Sequence, residues 1–179
     1  MDYQSIAKEF SNFVSGFAKT EQETGYPAVV RLLPASPARI LDFGCGNGQF
    51  CHSLDRLGYE TMGVDTSSAM IKQATNAGIN CLRINRSLRC FPEASFNAAT
   101  ANFVFCTMAS LETVAYWMGE IGYVIRPGGY LIFLTSNYEE AQGVEFASFR
   151  IEPAQHLKSG SPVTVILKGK KELSVTTGR

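Results

Sequence analysis

Asp42, Asp65 and the closely spaced Gly44, Gly46 and Gly48 stand in an order suited to holding a charged, sugar-bearing ligand. The stretch Ile40-Leu41-Asp42-Phe43-Gly44-Cys45-Gly46-Asn47-Gly48-Gln49-Phe50 runs from an apolar strand pattern into a glycine-rich turn and then a helical pattern. Glycines there let the backbone approach a ligand closely, and the N–H groups that open the helix can serve a carboxylate as readily as a phosphate. The second carboxylate, Asp65, stands 21 positions after Gly44 at the end of the next apolar run, before Thr66, Ser67 and Met70. A carboxylate at the tip of a neighbouring parallel strand can accept hydrogen bonds from both hydroxyls of a ribose. On its own Asp65 reads equally as a helix-capping turn residue; the glycine turn at the right distance favours the ligand role.

Two common nucleotide motifs do not fit. The dinucleotide fingerprint requires a sixth-position glycine, where Gln49 stands, and a phosphate-binding loop requires Gly-Lys-Ser/Thr, which does not follow Gly48.

Alternating strands and helices must position this turn. Arg39–Phe43 suits a buried parallel strand, 47–57 a helix closed by Gly58, 59–64 a second strand, and Thr66 or Ser67 a cap for a helix burying Met70, Ala74 and Ala77. A weaker strand is expected over 80–84, a small-residue strand over 96–103, and a helix over 111–125 with Val114, Trp117, Met118, Ile121 and Val124 on one side. Pro127-Gly128-Gly129 should then turn the chain into a strand over 130–135. The alternation predicts an α/β fold: a Rossmann-like, doubly wound, mainly parallel sheet with helices on both faces. Residues 1–35 read as a helical cap, with Tyr3, Ile6, Phe10, Phe13 and Phe17 along one face and a second helix from near Pro27 to Pro34. Residues 36–136 form the ligand-binding core, and 137–179 an irregular segment of the same domain, with a short helix from Tyr138 and a hairpin around Gly169.

Composition narrows the function classes. The 179 residues fit one domain, and 45% hydrophobic against 18% charged residues can build a packed core. Sixteen basic residues balance sixteen acidic ones, so no net field draws nucleic acid or an anionic membrane, and no apolar run reaches bilayer length. Met1-Asp2-Tyr3-Gln4 lacks the order of a signal peptide, and the five cysteines are scattered without a C-x-x-C pair. A cytoplasmic protein with reduced thiols is expected, without nucleic-acid or membrane partners.

From about Ile40 to Thr135 the chain resembles class I S-adenosylmethionine-dependent methyltransferases, in particular their small-molecule branch of type 11 and type 25 domains. Its Asp-x-Gly-x-Gly-x-Gly turn, with the acid inside the strand end, is that family's first motif, and Arg126-Pro127-Gly128-Gly129-Tyr130-Leu131 resembles its loop before the fifth strand. The resemblance implies S-adenosylmethionine as cofactor. Gly44, Cys45 and Gly46 would line its methionine part, Asp42 would help hold its amino group, and Asp65 would take the ribose. Thr66, Ser67 and Met70 would flank ribose and adenine, while Asn102 and Phe103 would neighbour the methionine and the transferred methyl. The adenine amino group would meet Asn85, where the family usually has an acid, with Arg86 beside it; an amide carbonyl can still accept that bond. A second departure is Phe96-Asn97, in place of the family's usual Phe-Asp.

The expected reaction moves the cofactor's methyl group to a small-molecule acceptor by in-line displacement, with no catalytic base singled out. His52 reads as a surface residue and Cys45 as a small filler; His156 falls in the irregular C-terminal region where an acceptor would sit and is not singled out as a base. Arg83, Arg86 and Arg89 read as a solvated basic cluster, and two isolated histidines make no zinc site. Two alternatives stand: a degenerate member of the fold that binds cofactor or partner without turnover, and a nicotinamide-dependent oxidoreductase. The chain after the fifth strand is shorter than the family's usual, so an incomplete C-terminal part and an uncovered sheet edge that pairs into a homodimer are expected.

Overall fold

The computed structural model describes residues 21–135, 137–144, 149–153, 163–167 and 173–177. The aromatic stripe from Tyr3 to Phe17, His156 and Gly169 lie outside them.

A π-helical turn, Glu21–Gly25, leads into α1 (Tyr26–Val30), where Pro27 sits in the first turn. The helix is shorter than expected: the chain leaves it after Val30, and Leu32 stands 61% exposed. Then follow β1 (Arg39–Phe43), α2 (Gln49–Arg56), β2 (Glu60–Asp65), α3 (Ser68–Asn76), β3 (Cys81–Arg83) and β4 (Phe96–Asn102). A 3₁₀ turn at Phe105–Thr107 precedes α4 (Leu111–Val124), which passes directly into β5 (Ile125–Leu134).

The five strands form one parallel sheet in the order β3-β2-β1-β4-β5. Strand β1 lies at its centre, with Asp42 opposite Gly63 on one side and Thr100 on the other. Its side chains alternate between two cores, as a strand covered on both faces requires. Leu41 and Phe43 pack with Phe96, Trp117, Ile121 and Val124, the last three from α4. Ile40 packs with Val29, Phe50 and Leu54 from α1 and α2 on the opposite face. The small residues of β4 fit between neighbours on both sides, and Ala98, Ala99, Thr100 and Ala101 are wholly buried.

Three expectations need correction. Pro127-Gly128-Gly129 does not precede the fifth strand but lies inside it: Phe96 pairs with Ile125 and Ala98 with Tyr130, so the tripeptide makes an irregularity in a longer strand. Met118 is 45% exposed, because only Trp117, Ile121 and Val124 point squarely at the sheet. Ala77 is exposed at the end of α3, leaving Met70 and Ala74 as its buried pair.

After a short helix α5 (Tyr138–Ala141), strands β6 (Phe149–Ile151), β7 (Val163–Leu167) and β8 (Leu173–Thr177) form a separate antiparallel sheet. The expected hairpin corresponds to β7 and β8. Among the described residues no strand pairs with the outer edge of β5, and no helix is long and apolar enough to cross a membrane.

Candidate functional site

At the carboxyl ends of β1, β2 and β4 a cavity of about 310 Å³ opens, at the place where ligands sit in open α/β sheets. The turn after β1 forms its floor. The N–H groups of Gly44 and Cys45 both donate to the Val64 carbonyl, at 2.8 and 3.0 Å, fastening the turn to β2. Gly44 has φ +74°, and a Cβ there would run into the Val104 side chain, so this glycine lets the β4 exit lie close against β1. Gly46 differs: at φ +54° it faces open space, with nothing within 4 Å of where a Cβ would stand.

Asp65 closes the turn from the β2 side. Its Oδ2 accepts the Gly46 N–H at 2.9 Å and its Oδ1 accepts the Ser67 N–H at 2.8 Å. Burial raises the carboxyl above its ordinary range, against the lowering effect of these backbone bonds. Each oxygen retains a lone pair for a ligand hydroxyl. Of the two candidate caps Ser67 is the one used: its Oγ accepts the Met70 N–H at 3.3 Å, starting α3.

Asp42 is 2% exposed. Its Oδ1 accepts the Thr100 hydroxyl at 2.8 Å, and its Oδ2 the Cys51 thiol at 3.3 Å. Burial pushes its pKa up to about 6, opposed by those two bonds and helped slightly by the charge of Asp65. Gly63 permits this arrangement, since a Cβ there would press on the Cys45 and Cys51 sulfurs at 2.8 and 3.0 Å. The bond with Cys51 lowers the Cys45 thiol, but burial together with the charges of Asp42 and Asp65 outweighs it and leaves the thiol raised, so the helix start does not activate it as a nucleophile.

The exit of β4 supplies the far wall. Phe103 adopts φ +55°, rare for a residue with a side chain, and its N–H donates to the Leu134 carbonyl at 2.7 Å. Asn102 has both amide atoms buried and without a hydrogen-bond partner, and Gln49 Oε1 shares that state. Both residues line the cavity.

The structure thus gathers Asp42, Gly44, Cys45, Gly46, Asp65, Thr66, Ser67, Met70, Asn102 and Phe103 around one space. Asn85 and Arg86 stand exposed and outside its lining; the residue before them, Ile84, is the buried one that forms the wall. The shift follows from β3 ending at Arg83, with the Ile84 N–H bonded to the Asp65 carbonyl at 2.9 Å. Trp117, Met108, Tyr26 and Gln49 line the cavity too, though nothing in the sequence marked them beyond core or surface patterning. His52 is exposed on α2, as expected. Asn97 in place of aspartate is accommodated, its Oδ1 accepting the Arg39 N–H at 2.7 Å. No cluster of metal-ligating side chains exists among the described residues.

The sheet order and the glycine turn facing a second-strand carboxylate define a Rossmann-like methyltransferase fold. The chain belongs to the methyltransferase domain family, whose sequence model matches residues 18–164. One relative is the ubiquinone biosynthesis O-methyltransferase of Sinorhizobium medicae, 32% identical over 58% of this chain and 43% of that protein. Another is the malonyl-[acyl-carrier protein] O-methyltransferase of Erwinia pyrifoliae, 25% identical over 97% of this chain and 67% of that one. Among solved structures, an S-adenosylmethionine-dependent methyltransferase from Mesorhizobium loti superposes with a TM-score of 0.54 and 29% identity, covering 63% of this chain and 53% of that one. The chain spans less than half the length of the first of these relatives, 43%.

The cofactor implied by the family fits the residues present. Its ammonium and hydroxyls need buried acceptors, which Asp42 and Asp65 offer, and the orphaned Asn102 amide and Gln49 Oε1 are polar groups that a ligand would satisfy.

Proposed function

We propose that this chain binds S-adenosylmethionine in the cavity and directs its methyl group to a small-molecule acceptor. The observation that carries the reading is the Asp65–Gly46 hydrogen bond, which joins a ribose-binding carboxylate and an open glycine turn in a single cavity. Asp65 would hold the ribose hydroxyls, Asp42 and the Asn102 amide the ammonium, and Met70 and Ile84 the apolar faces of the adenine. S-adenosylmethionine supplies an electrophilic methyl on sulfur when bound. The protein's task is then to orient an acceptor beside Phe103, Thr107 and Met108 and to exclude water, and orientation alone can contribute roughly 7–11 kcal/mol to the rate. Both relatives bear the name O-methyltransferase, which supports an oxygen acceptor. The match to a methyltransferase family leaves the oxidoreductase alternative without support.

Calorimetric titration with S-adenosylhomocysteine tests the cofactor half of this reading. Incubation with methyl-labelled cofactor and a panel of phenols, carboxylic acids and amines tests the other. Heat without labelled product from any acceptor would favour a binding protein that does not turn over.

Two further parts of the proposal concern surroundings. The β5 edge, where Tyr130 and Phe133 are 42% and 51% exposed, would pair with a second copy; a strictly monomeric sedimentation profile at high concentration counts against this. The five cysteines are unbridged, which supports a reducing, cytoplasmic setting.

A further inference from the structure

Helix α4 carries two neighbouring stripes with different tasks. Trp117, Ile121 and Val124 turn into the core beneath the sheet, and Trp117 also walls the cavity. Tyr116, Glu120 and Tyr123, each one residue earlier in the turn, face the segment that follows β3. Helical spacing makes the three one continuous face.

Their bonds converge on consecutive residues. The Tyr116 hydroxyl donates to the Arg86 carbonyl. Glu120 Oε2 accepts both the Ser87 hydroxyl at 2.6 Å and the Leu88 N–H at 2.7 Å, while Oε1 accepts Arg89 Nε at 3.1 Å. The Arg89 guanidinium lies 3.7 Å from the centre of the Tyr123 ring, and the Tyr123 carbonyl accepts the Ala94 N–H at 3.0 Å. Leu88 and Phe91, from the same segment, are plugged into the core. Residues 86–89 are therefore fixed one after another to a single helix.

Glu120 is buried, which ordinarily raises a carboxyl; the bonds from Ser87, Leu88 and Arg89 outweigh that and hold it below its usual range. A buried carboxylate is a poor choice if stability alone is at stake, since apolar packing serves as well. What it adds is direction, because three bonds from residues 87, 88 and 89 fix the path of the backbone. Only Asn85 separates Arg86 from Ile84, the wall residue of the cavity. The lever from clasp to wall is one residue long.

We propose that Tyr116 and Glu120 are positioning residues that hold Ile84 against the adenine end of the bound cofactor, at a spacing from Trp117 set by their common helix. The proposal rests on the reading of the cavity given above. Neither residue touches the ligand. Both act through the segment between β3 and β4.

The test compares wild type with Glu120→Gln and Tyr116→Phe, titrating S-adenosylhomocysteine and adenosine by calorimetry well below each protein's Tm, with amide exchange of residues 84–91 followed in the absence of ligand. Kd for both ligands should rise about tenfold in Glu120→Gln and about threefold in Tyr116→Phe, the size expected of residues coupled to a site without contacting it. Exchange at the Leu88 amide should quicken in Glu120→Gln. Variants with a lowered Tm but unchanged Kd would overturn the proposal, because the clasp would then be purely structural. Wild type that binds neither ligand would overturn it together with the cofactor reading, whereas normal wild-type binding with unmoved variants overturns the clasp alone. Should Glu120→Gln fail to fold, Tyr116→Phe, which removes a single exposed hydroxyl, decides the matter.

Discussion

Asp65 Oδ2 accepts the Gly46 N–H at 2.9 Å across the tips of two parallel strands, so the glycine turn and the carboxylate that faces it are one unit. The second oxygen accepts the Ser67 N–H and orders the start of the next helix. Asp65→Ala would remove both acceptors and the ligand's hydroxyl partner together. Hydrogen bonds to a charged group contribute on the order of 1.5–3 kcal/mol each, so affinity for S-adenosylhomocysteine should fall about 100-fold. Calorimetry reads the affinity directly. A variant that binds within a factor of two of wild type would remove Asp65 from the site.

Gly44 and Gly46 share a left-handed backbone but should fail differently. Alanine at either position carries the cost of positive φ, about 1 kcal/mol or more. At Gly44 the new methyl also collides with Val104, so Gly44→Ala should lose a further 1–3 kcal/mol of stability in urea unfolding. At Gly46 the methyl enters open cavity, so Gly46→Ala should stay folded while losing ligand affinity. Equal effects of the two variants on both measurements would refute this division.

The raised Asp42 pKa, about 6, predicts a pH dependence with a definite sign. Folded Asp42 holds its proton more tightly than the unfolded chain, whose carboxyl titrates near 3.8. Its contribution to stability is therefore complete below about pH 4 and is lost as pH rises through 6, where the buried charge must form. An ammonium ligand prefers the charged form, so S-adenosylhomocysteine affinity should be flat above pH 6 and weaken below it, with proton release on binding in that range. Asp42→Asn should be at least as stable as wild type at pH 7.5, bind more weakly, and show no such pH step. Titrations from pH 5 to 8 in two buffers of different ionisation enthalpy measure both the affinity and the released proton.

Much of this site was legible in the sequence because strand-end glycines and acids obey short spacings. Asp42, Gly46 and Asp65 needed only the strand–turn–helix order to be placed around one cavity. Asn85 and Arg86 fall outside the cavity lining because β3 is only three residues long, and a one-residue shift at the end of so short a strand moves a side chain from wall to surface. Trp117 and Glu120 were illegible for a different reason. Helical periodicity assigns a residue to a face, and it does not say whether that face meets sheet, loop or cavity. The Pro127-Gly128-Gly129 irregularity hid only the start of its strand at Ile125, since prolines and glycines normally mark a strand boundary.

Asn102 gives the last prediction, through the bonds it does not make. Its amide nitrogen and oxygen are both buried without partners, a state that costs about 1–3 kcal/mol and is tolerated where a ligand relieves it. Asn102→Leu keeps the branched four-atom shape of the side chain and removes the unsatisfied groups, so the ligand-free protein should gain about 1 kcal/mol of stability. The same change deprives the ammonium of an acceptor at the end of β4, where Phe103 holds a left-handed backbone and limits how far the chain can adjust. Affinity for S-adenosylhomocysteine should then drop about tenfold, as the loss of one such bond implies. Stability and binding thus move in opposite directions, which is the mark of a polar group kept for its ligand. If Asn102→Leu lowers Tm and leaves Kd unchanged, the amide belongs to the packing of the strand end and contributes nothing to recognition.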